Sequence, residues 1–513
     1  MNVSSFFDHW SIIENPFQAE EARHDAVFAR LGGERVRHPD FEKILGDTSR
    51  PSSAIVFGEK GSGKTAIRLQ IERSVSEHNA RRPNERILLT PYDDLNAALD
   101  RFVEAAGRRE DGSPLDALKR FTLSDHMDSI LHAATIRIVD ALLEDPRGDP
   151  QSGIGRDEAA ALRKSPPAVR RDLMTLQAVY DRPADATART ARLRRLIRAP
   201  RGGGRTAWDL AVALGWIPAA GAFALDRMGY IPDFGVDSGR WLFFVLAALW
   251  VLVVLKWALV DVAFSRWTLG RLSRRVAAQL RTLGRSAESL AASLGQLPKE
   301  DRLPQELPLS QDDDARYEMF ARLGRVQRAM GFSAMMIVID RLDEPMLISG
   351  DPERMKAVAW PLLNNKFLQM TGFGLKMLLP IELRHALFRE SSAFFQEARL
   401  DKQNLIEQLR WTGSTLYDLC NARLHACLAE GAERINLIDL FDDETNRQDV
   451  VDALDQMQQP RDAFKLLYRC VQEHCSNVTD EAPEWRIPRL TLEHVRKQQA
   501  ERVQLLFRGV RPG

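Results

Sequence analysis

Short β-branched apolar runs alternate with longer stretches of helical period along this chain. Ala54 to Phe57 is brief, apolar and ends at Gly58, which predicts a buried strand. A helix is expected over 65–78. A second strand is expected at Arg86 to Thr90, stopped by Pro91. Helical periodicity follows over 94–107, 114–145 and 156–181, broken by Gly/Pro-rich stretches near 146–154 and 165–167. Beyond residue 265 the pattern predicts a helix at 266–293, a Pro/Asp-rich linker at 298–314 and a helix at 315–330. Then come a buried strand at Ala334 to Ile339, a helix at 352–369 and a strand at Leu375 to Ile381. The remainder, 400–505, reads as mostly helical with no long strand.

Between these regions the pattern changes character. Leu210 to Leu225 carries no charge, and neither does Trp241 to Leu255. Lys256 interrupts the second run before Trp257 to Val260 continue it. A bilayer core of about 30 Å takes roughly 20 apolar residues in a helix. The second run reaches that length if Lys256 snorkels to the interface. The first is shorter and holds Gly215, Pro218 and Gly221, which membrane helices tolerate. Arg189, Arg192, Arg194, Arg195, Arg198, Arg201 and Arg205 precede the pair, and Arg266, Arg271, Arg274, Arg275, Arg281 and Arg285 follow it. The intervening loop, Asp226 to Arg240, holds Asp226, Asp233 and Asp237 against Arg227 and Arg240. The positive-inside rule then places both outer ends in the cytoplasm. The expected location is the inner (cytoplasmic) membrane, crossed twice, with both termini on the cytoplasmic side. Trp208, Trp216, Trp241, Trp257 and Trp267 suit an interfacial belt.

Composition adds boundaries. The 513 residues include 71 Lys+Arg and 71 Asp+Glu, with 44% hydrophobic and 28% charged residues, which excludes a disordered chain, a collagen and a disulfide scaffold. Zero net charge gives no indication of a nucleic-acid partner. Cys420, Cys427, Cys470 and Cys475 fit no metal spacing and read as reduced core thiols. Met1 to Asn15 shows no secretory signal pattern.

The strongest local chemistry is Gly58-Glu59-Lys60-Gly61-Ser62-Gly63-Lys64-Thr65. This G-x-x-x-x-G-K-T sits between an expected strand and an expected helix, the context of a phosphate-binding Walker A loop. Its N–H groups and the helix N-terminus would wrap the phosphates. Lys64 reaches their β/γ oxygens, and Thr65 ligates Mg²⁺. Asp340, at the carboxyl end of an apolar strand, fits the acidic partner that holds Mg²⁺. Arg341 follows it, and Asp343 and Glu344 come next. Glu344 is placed ahead of Asp343 as the group that activates water, although spacing does not separate them. Arg384, Arg389 and Arg461 are candidates for charge on the transferring phosphoryl group. No Ser/His/Asp set and no His/Cys metal pattern is present.

The loop at 58–65, a charge-free hairpin ahead of Ile339-Asp340, and Pro460-Arg461 in a late helical region together resemble KAP-type P-loop NTPases, membrane-associated relatives of the STAND and AAA+ ATPases. The resemblance implies an α/β P-loop core with a parallel sheet of the additional-strand type, an inserted two-helix transmembrane hairpin and a C-terminal helical lid. It implies ATP and Mg²⁺ as ligands and a nucleotide-sensing role for Arg461. Arg341 stands where the family commonly has a second acid. The expected divisions are an N-terminal segment (1–50), a first core segment with the Walker A loop (51–110), a helical insertion (111–205), the hairpin (206–264), a helical linker (265–314), a second core segment with Asp340 (315–399) and the lid (400–513). The expected function is ATP hydrolysis that drives conformational change or assembly in a membrane-anchored signalling or antiphage defence complex. The alternative is a slow ATP-gated oligomerisation switch. The expected partners are the membrane and either further copies of the chain or another protein.

Overall fold

A computed structural model of the chain describes residues 1–18, 21–31, 36–106, 113–150, 152–200, 207–228, 230, 238–298, 300–303 and 306–507. Of the charges on which the expected two-pass orientation rests, Arg201, Arg205, Asp233 and Asp237 lie outside the described residues. The chain divides into two compact units. One comprises Met1–Asn96, Ser113–Phe121 and Gly331–Gly513, the other Ala97–Gly112 and Thr122–Met330.

The first unit is α/β. Its strands are β1 (Ala54–Gly58), β2 (Arg86–Tyr92), β3 (Phe332–Ile339), β4 (Phe373–Pro380) and β5 (Asn404–Ile406). They form one all-parallel sheet in the order β2-β3-β4-β1-β5. Every residue of β1 and β4 is buried, as near-continuous apolar strands of a parallel sheet require. β2 does not stop at Thr90 as expected. It runs through Pro91, which lies opposite Val338, and an edge strand tolerates proline because one of its sides has no ladder. β5 has three residues, too few to show a period.

The helix Lys64–Arg81 packs on the sheet through Ile67, Ile71 and Val75, at helical spacing, against Val56, Met336 and Leu378. A second apolar cluster joins Phe6, Phe7, Phe17 and Val27 to the helices Gly413–Ala426, Arg447–Asp455 and Pro460–Asn477. The first part of the N-terminal segment is thus in the helical C-terminal region's core, whereas Phe41, Ile44 and Leu45 pack with the sheet. The four cysteines are free and buried in this cluster. The long helix expected at 352–369 is broken. Pro352–Ala359 ends in a short turn containing Pro361, and Asn364 caps a further turn.

The second unit is helical. Leu123–Leu142, Pro167–Tyr180, Ala186–Ile197 and Asp313–Ala329 bury its core. The helix expected at 266–293 is two, Ser265–Gln279 and Ala287–Leu294, because Ser286 caps the second by accepting from the Ser289 N–H. Buried arginines hold this unit together. Arg189 donates to Asp140 and Asp145, each at 2.6 Å, and to Asp181 at 2.9 Å. Arg316 reaches Asp128 at 2.9 Å, and Asp128 also accepts from the Tyr180 hydroxyl at 2.9 Å. Arg281 meets Asp125 at 2.6 Å, and buried Arg285 donates to the Arg182 carbonyl at 3.0 Å. Arg189, Arg281 and Arg285, expected as membrane-flanking charge, are instead internal partners of this fold. Arg195, Arg198, Arg266, Arg271, Arg274 and Arg275 stay exposed.

Two stretches of this unit, Asp209–Arg227 and Trp241–Leu259, are long and apolar enough to cross a membrane. At 1.5 Å per residue a continuous helix of 19 residues would span about 28 Å. The first turns at Gly215-Trp216. A Cβ on Gly215 would lie 2.2 Å from the Ala211 carbonyl oxygen and 2.8 Å from the Trp250 ring, so both the turn and the close approach of the two stretches need glycine there. Indole N–H groups bridge them: Trp250 donates to the Val212 carbonyl at 3.0 Å, and Trp257 to Asp209 at 2.7 Å.

Candidate functional site

The carboxyl ends of β1, β4 and β3 open into a cavity of about 600 Å³, lined by Gly58, Pro380 and Asp340 from those ends. Ligands of open α/β sheets bind at this edge. The loop from Gly58 to Gly63 forms its floor. Gly61 and Gly63 have φ of +103° and +96°, which favour glycine. Gly61 also faces the lid, where a Cβ would lie 3.0 Å from Arg461 Cβ. Gly63 precedes the helix and offers no side-chain cap, so the first-turn N–H groups are left for a ligand.

Lys64 donates through Nζ to the carbonyls of Gly58 at 2.7 Å and Glu59 at 3.0 Å. Burial pulls its ammonium below the usual lysine range, while Asp343, Asp340, Glu382 and Glu59 push back. Thr65 Oγ1 donates to Asp340 Oδ2 at 3.2 Å. Burial raises the Asp340 carboxyl above its ordinary value, opposed by Arg68, Thr65 and Lys64. A buried carboxylate beside a hydroxyl is a place for a hard cation, and Thr65 and Asp340 are the pair that could hold one. No group of three His, Cys, Asp or Glu side chains forms a metal cage among the described residues.

The loop is tied to the lid. Glu59 accepts from Gln408 at 3.0 Å and from Gln459. The Trp411 indole donates to the Ser62 carbonyl at 2.9 Å. Burial raises the Glu59 carboxyl. Pro460 and Arg461 complete this wall, and Asp343, Glu344 and Arg341 line the side toward β3. The structure therefore brings Gly58, Lys60, Gly61, Gly63, Lys64, Thr65, Asp340, Asp343, Glu344 and Arg461 to one cavity. Glu59 and Ser62 are joined to it through Gln459 and Trp411. Arg384 is not brought there. It pairs with Glu407 at 2.9 Å, lies over the Phe388 ring and lines a separate groove with Lys43 and Arg410.

Several lining residues carry no signal in the sequence. Glu382 follows β4 and faces Lys64. The far end of the cavity is apolar, walled by Phe28, Leu31 and Val36 of the N-terminal segment and by Leu419 and Phe464 of the lid helices. Arg423 fixes that wall. It is buried, pairs with Asp25 at 2.6 Å, donates to the Pro16 carbonyl at 2.6 Å and lies over the Phe464 ring. Arg423 belongs to no motif, and its partners lie far away in sequence.

No protein-family model, no curated protein and no solved structure matches this chain.

Proposed function

We propose that this chain is a membrane-anchored ATP-binding protein of the P-loop NTPase type, and that ATP hydrolysis drives movement of the lid against the loop. One observation carries the reading. Lys64, Thr65, Asp340 and Arg461 line one cavity, together with the glycine loop and with Phe28, Leu31, Val36, Leu419 and Phe464. Its volume lies within the range of small-molecule sites, about 300–1,000 Å³. The lone strand between β1 and β3 supports the additional-strand arrangement that the KAP-type resemblance implies.

In this reading the N–H groups of 60–65 and Lys64 hold the β- and γ-phosphates, and the apolar recess takes the base. Thr65 and Asp340 hold Mg²⁺, which when bound neutralises charge on the phosphates. Arg461, stacked by its stem on Gly61, senses the γ-phosphate. The two apolar stretches anchor the protein in the cytoplasmic membrane with the nucleotide site on the cytoplasmic side, and assembly with further copies or a partner protein carries the signal, in a signalling or defence complex. A second reading, a slow switch that binds more than it hydrolyses, is favoured by one contact: Glu344 is engaged by Arg341 at 3.4 Å.

Calorimetric titration of the full chain in detergent with ATP, with and without Mg²⁺, tests this. Binding that strengthens with Mg²⁺, and loses that dependence in Asp340→Asn, is expected. Absence of saturable ATP binding overturns it.

A further inference from the structure

Arg341 is the residue that departs from the expected pattern, and its conformation is unusual. It has φ of +62°, in the left-handed region that non-glycine residues rarely occupy. Its own N–H donates to Asp340 Oδ1 at 3.0 Å, and the Glu344 N–H donates back to its carbonyl at 3.2 Å. This tight turn throws the guanidinium sideways, where it lies mostly covered between Glu21 and Glu344. One arm pairs with Glu21 of the N-terminal segment; the other sits 3.4 Å from Glu344 Oε2. Outliers of this kind gather at functional sites, where the surroundings hold them.

The consequence for the acids is unequal. Glu344 is more than half exposed and drawn toward Arg341. Asp343 is half-buried on the cavity wall, and its carbonyl is pinned by the Gly350 N–H at 3.1 Å. It lines the same cavity as Lys64 and Thr65. We infer that Arg341 is a positioning residue that holds Glu344 out of the reaction and leaves Asp343 as the carboxylate that activates water. This rests on the nucleotide reading above and specifies how that site is regulated. Asp343 accepts a proton from water as the water oxygen bonds to the γ-phosphorus. The bond from that phosphorus to the bridging oxygen breaks, and its electron pair leaves on the β-phosphate. Because the same guanidinium holds Glu21, which lines the cavity beside the apolar wall, the pair couples the seating of the nucleotide to the restraint on Glu344.

The test uses the full chain in detergent, with a fluorescent ATP analogue for affinity and phosphate release for kcat and KM. Glu344→Gln lowers kcat far less than the matching change at Asp343. Asp343→Asn lowers it by roughly 100-fold, the usual scale for losing a general base, with affinity retained. Arg341→Ala raises kcat several-fold and raises KM, because Glu344 and Glu21 are both released. The double variant R341A/E344Q returns kcat to the parent value, a suppression that a merely structural role for Arg341 would not produce. The two isosteric acid variants decide the matter if Arg341→Ala does not fold. Loss of turnover in Glu344→Gln with binding intact overturns the inference, as does an Arg341→Ala rate that does not depend on Glu344, or ATP binding without turnover in every form. Absence of ATP binding in the parent protein instead overturns the nucleotide reading itself.

Discussion

Gly61→Ala is a sharp perturbation of the site because Gly61 is constrained twice. Its φ of +103° is strained for any residue with a Cβ, and that Cβ would meet Arg461 Cβ at 3.0 Å and Gln459 Oε1 at 3.2 Å. Arg461 lies in the first turn of the helix Pro460–Asn477, so its Cβ cannot move independently of the lid. Gly63→Ala supplies the control. Its φ of +96° carries similar strain, but its nearest contact is 3.8 Å away, on Trp411. Backbone strain of this kind costs about 1–3 kcal/mol. On the nucleotide reading, phosphate binding holds the loop at these angles. The strain therefore appears as a loss of roughly 5- to 100-fold in ATP affinity for either variant, at about 1.4 kcal/mol per tenfold. Gly61→Ala loses more than Gly63→Ala, because only it pushes on the lid. Titration with a fluorescent ATP analogue measures both. Equal affinities for the two variants would refute the placement of Arg461 against the loop.

Other consequences reach the second unit and the apolar stretches. Arg189→Ala removes the guanidinium that joins Asp140 to Asp181, leaving Asp140 to Arg182 and buried Asp181 to the Gln177 amide, and is expected to destabilise the protein by about 3 kcal/mol in denaturant titration, whereas Arg195→Ala on the surface stays within about 0.5 kcal/mol. His132 is held by burial at a pKa of about 4, its Nδ1–H facing the Tyr180 carbonyl at 2.6 Å. Its neutral form is favoured in the fold and its unfolded value is near 6.5, so this stability is complete above pH 6.5 and is lost as pH falls toward 4. The loss reaches up to about 3 kcal/mol, and thermal melts of His132→Asn should be flatter over that window. With all four native thiols buried, Met228→Cys offers an exposed thiol, and a membrane-impermeant maleimide should label it only from the side opposite the ATP site. Labelling from the ATP side contradicts the two-pass orientation.

The legibility of this chain follows the range of the interactions. The 58–65 loop is local, and its glycine spacing and flanking apolar run announce it within a single short stretch. Asp340 is legible for the same reason, as an acid ending a buried run. The sheet's order is not local, and no pattern in 54–57 or 334–339 reveals that β4 lies between them. The apolar wall is invisible in the sequence because Phe28 and Leu31 gain meaning only against Leu419 and Phe464, far along the chain. Arg189 defeats a sequence reading because a basic cluster looks the same whether it faces lipid or meets Asp140 and Asp181 inside a helical bundle. Arg384 has the right position after a strand to approach the phosphates, but the short helix that follows β4 carries it to Glu407 instead. Arg461 lies against Gly61 because Gln459-Pro460 sets the start of its helix there.

The central claim is that the cavity between the 58–65 loop and the lid binds ATP through its phosphates. The measurement that bears on it most directly is the ATP affinity of Lys64→Ala beside the parent protein, by calorimetry in detergent with Mg²⁺. Lys64 supplies charge-assisted hydrogen bonds worth about 1.5–3 kcal/mol each, so loss of two of them predicts an affinity at least about 100-fold weaker in a protein of unchanged fold. A Lys64→Ala protein that binds ATP as tightly as the parent would contradict the claim.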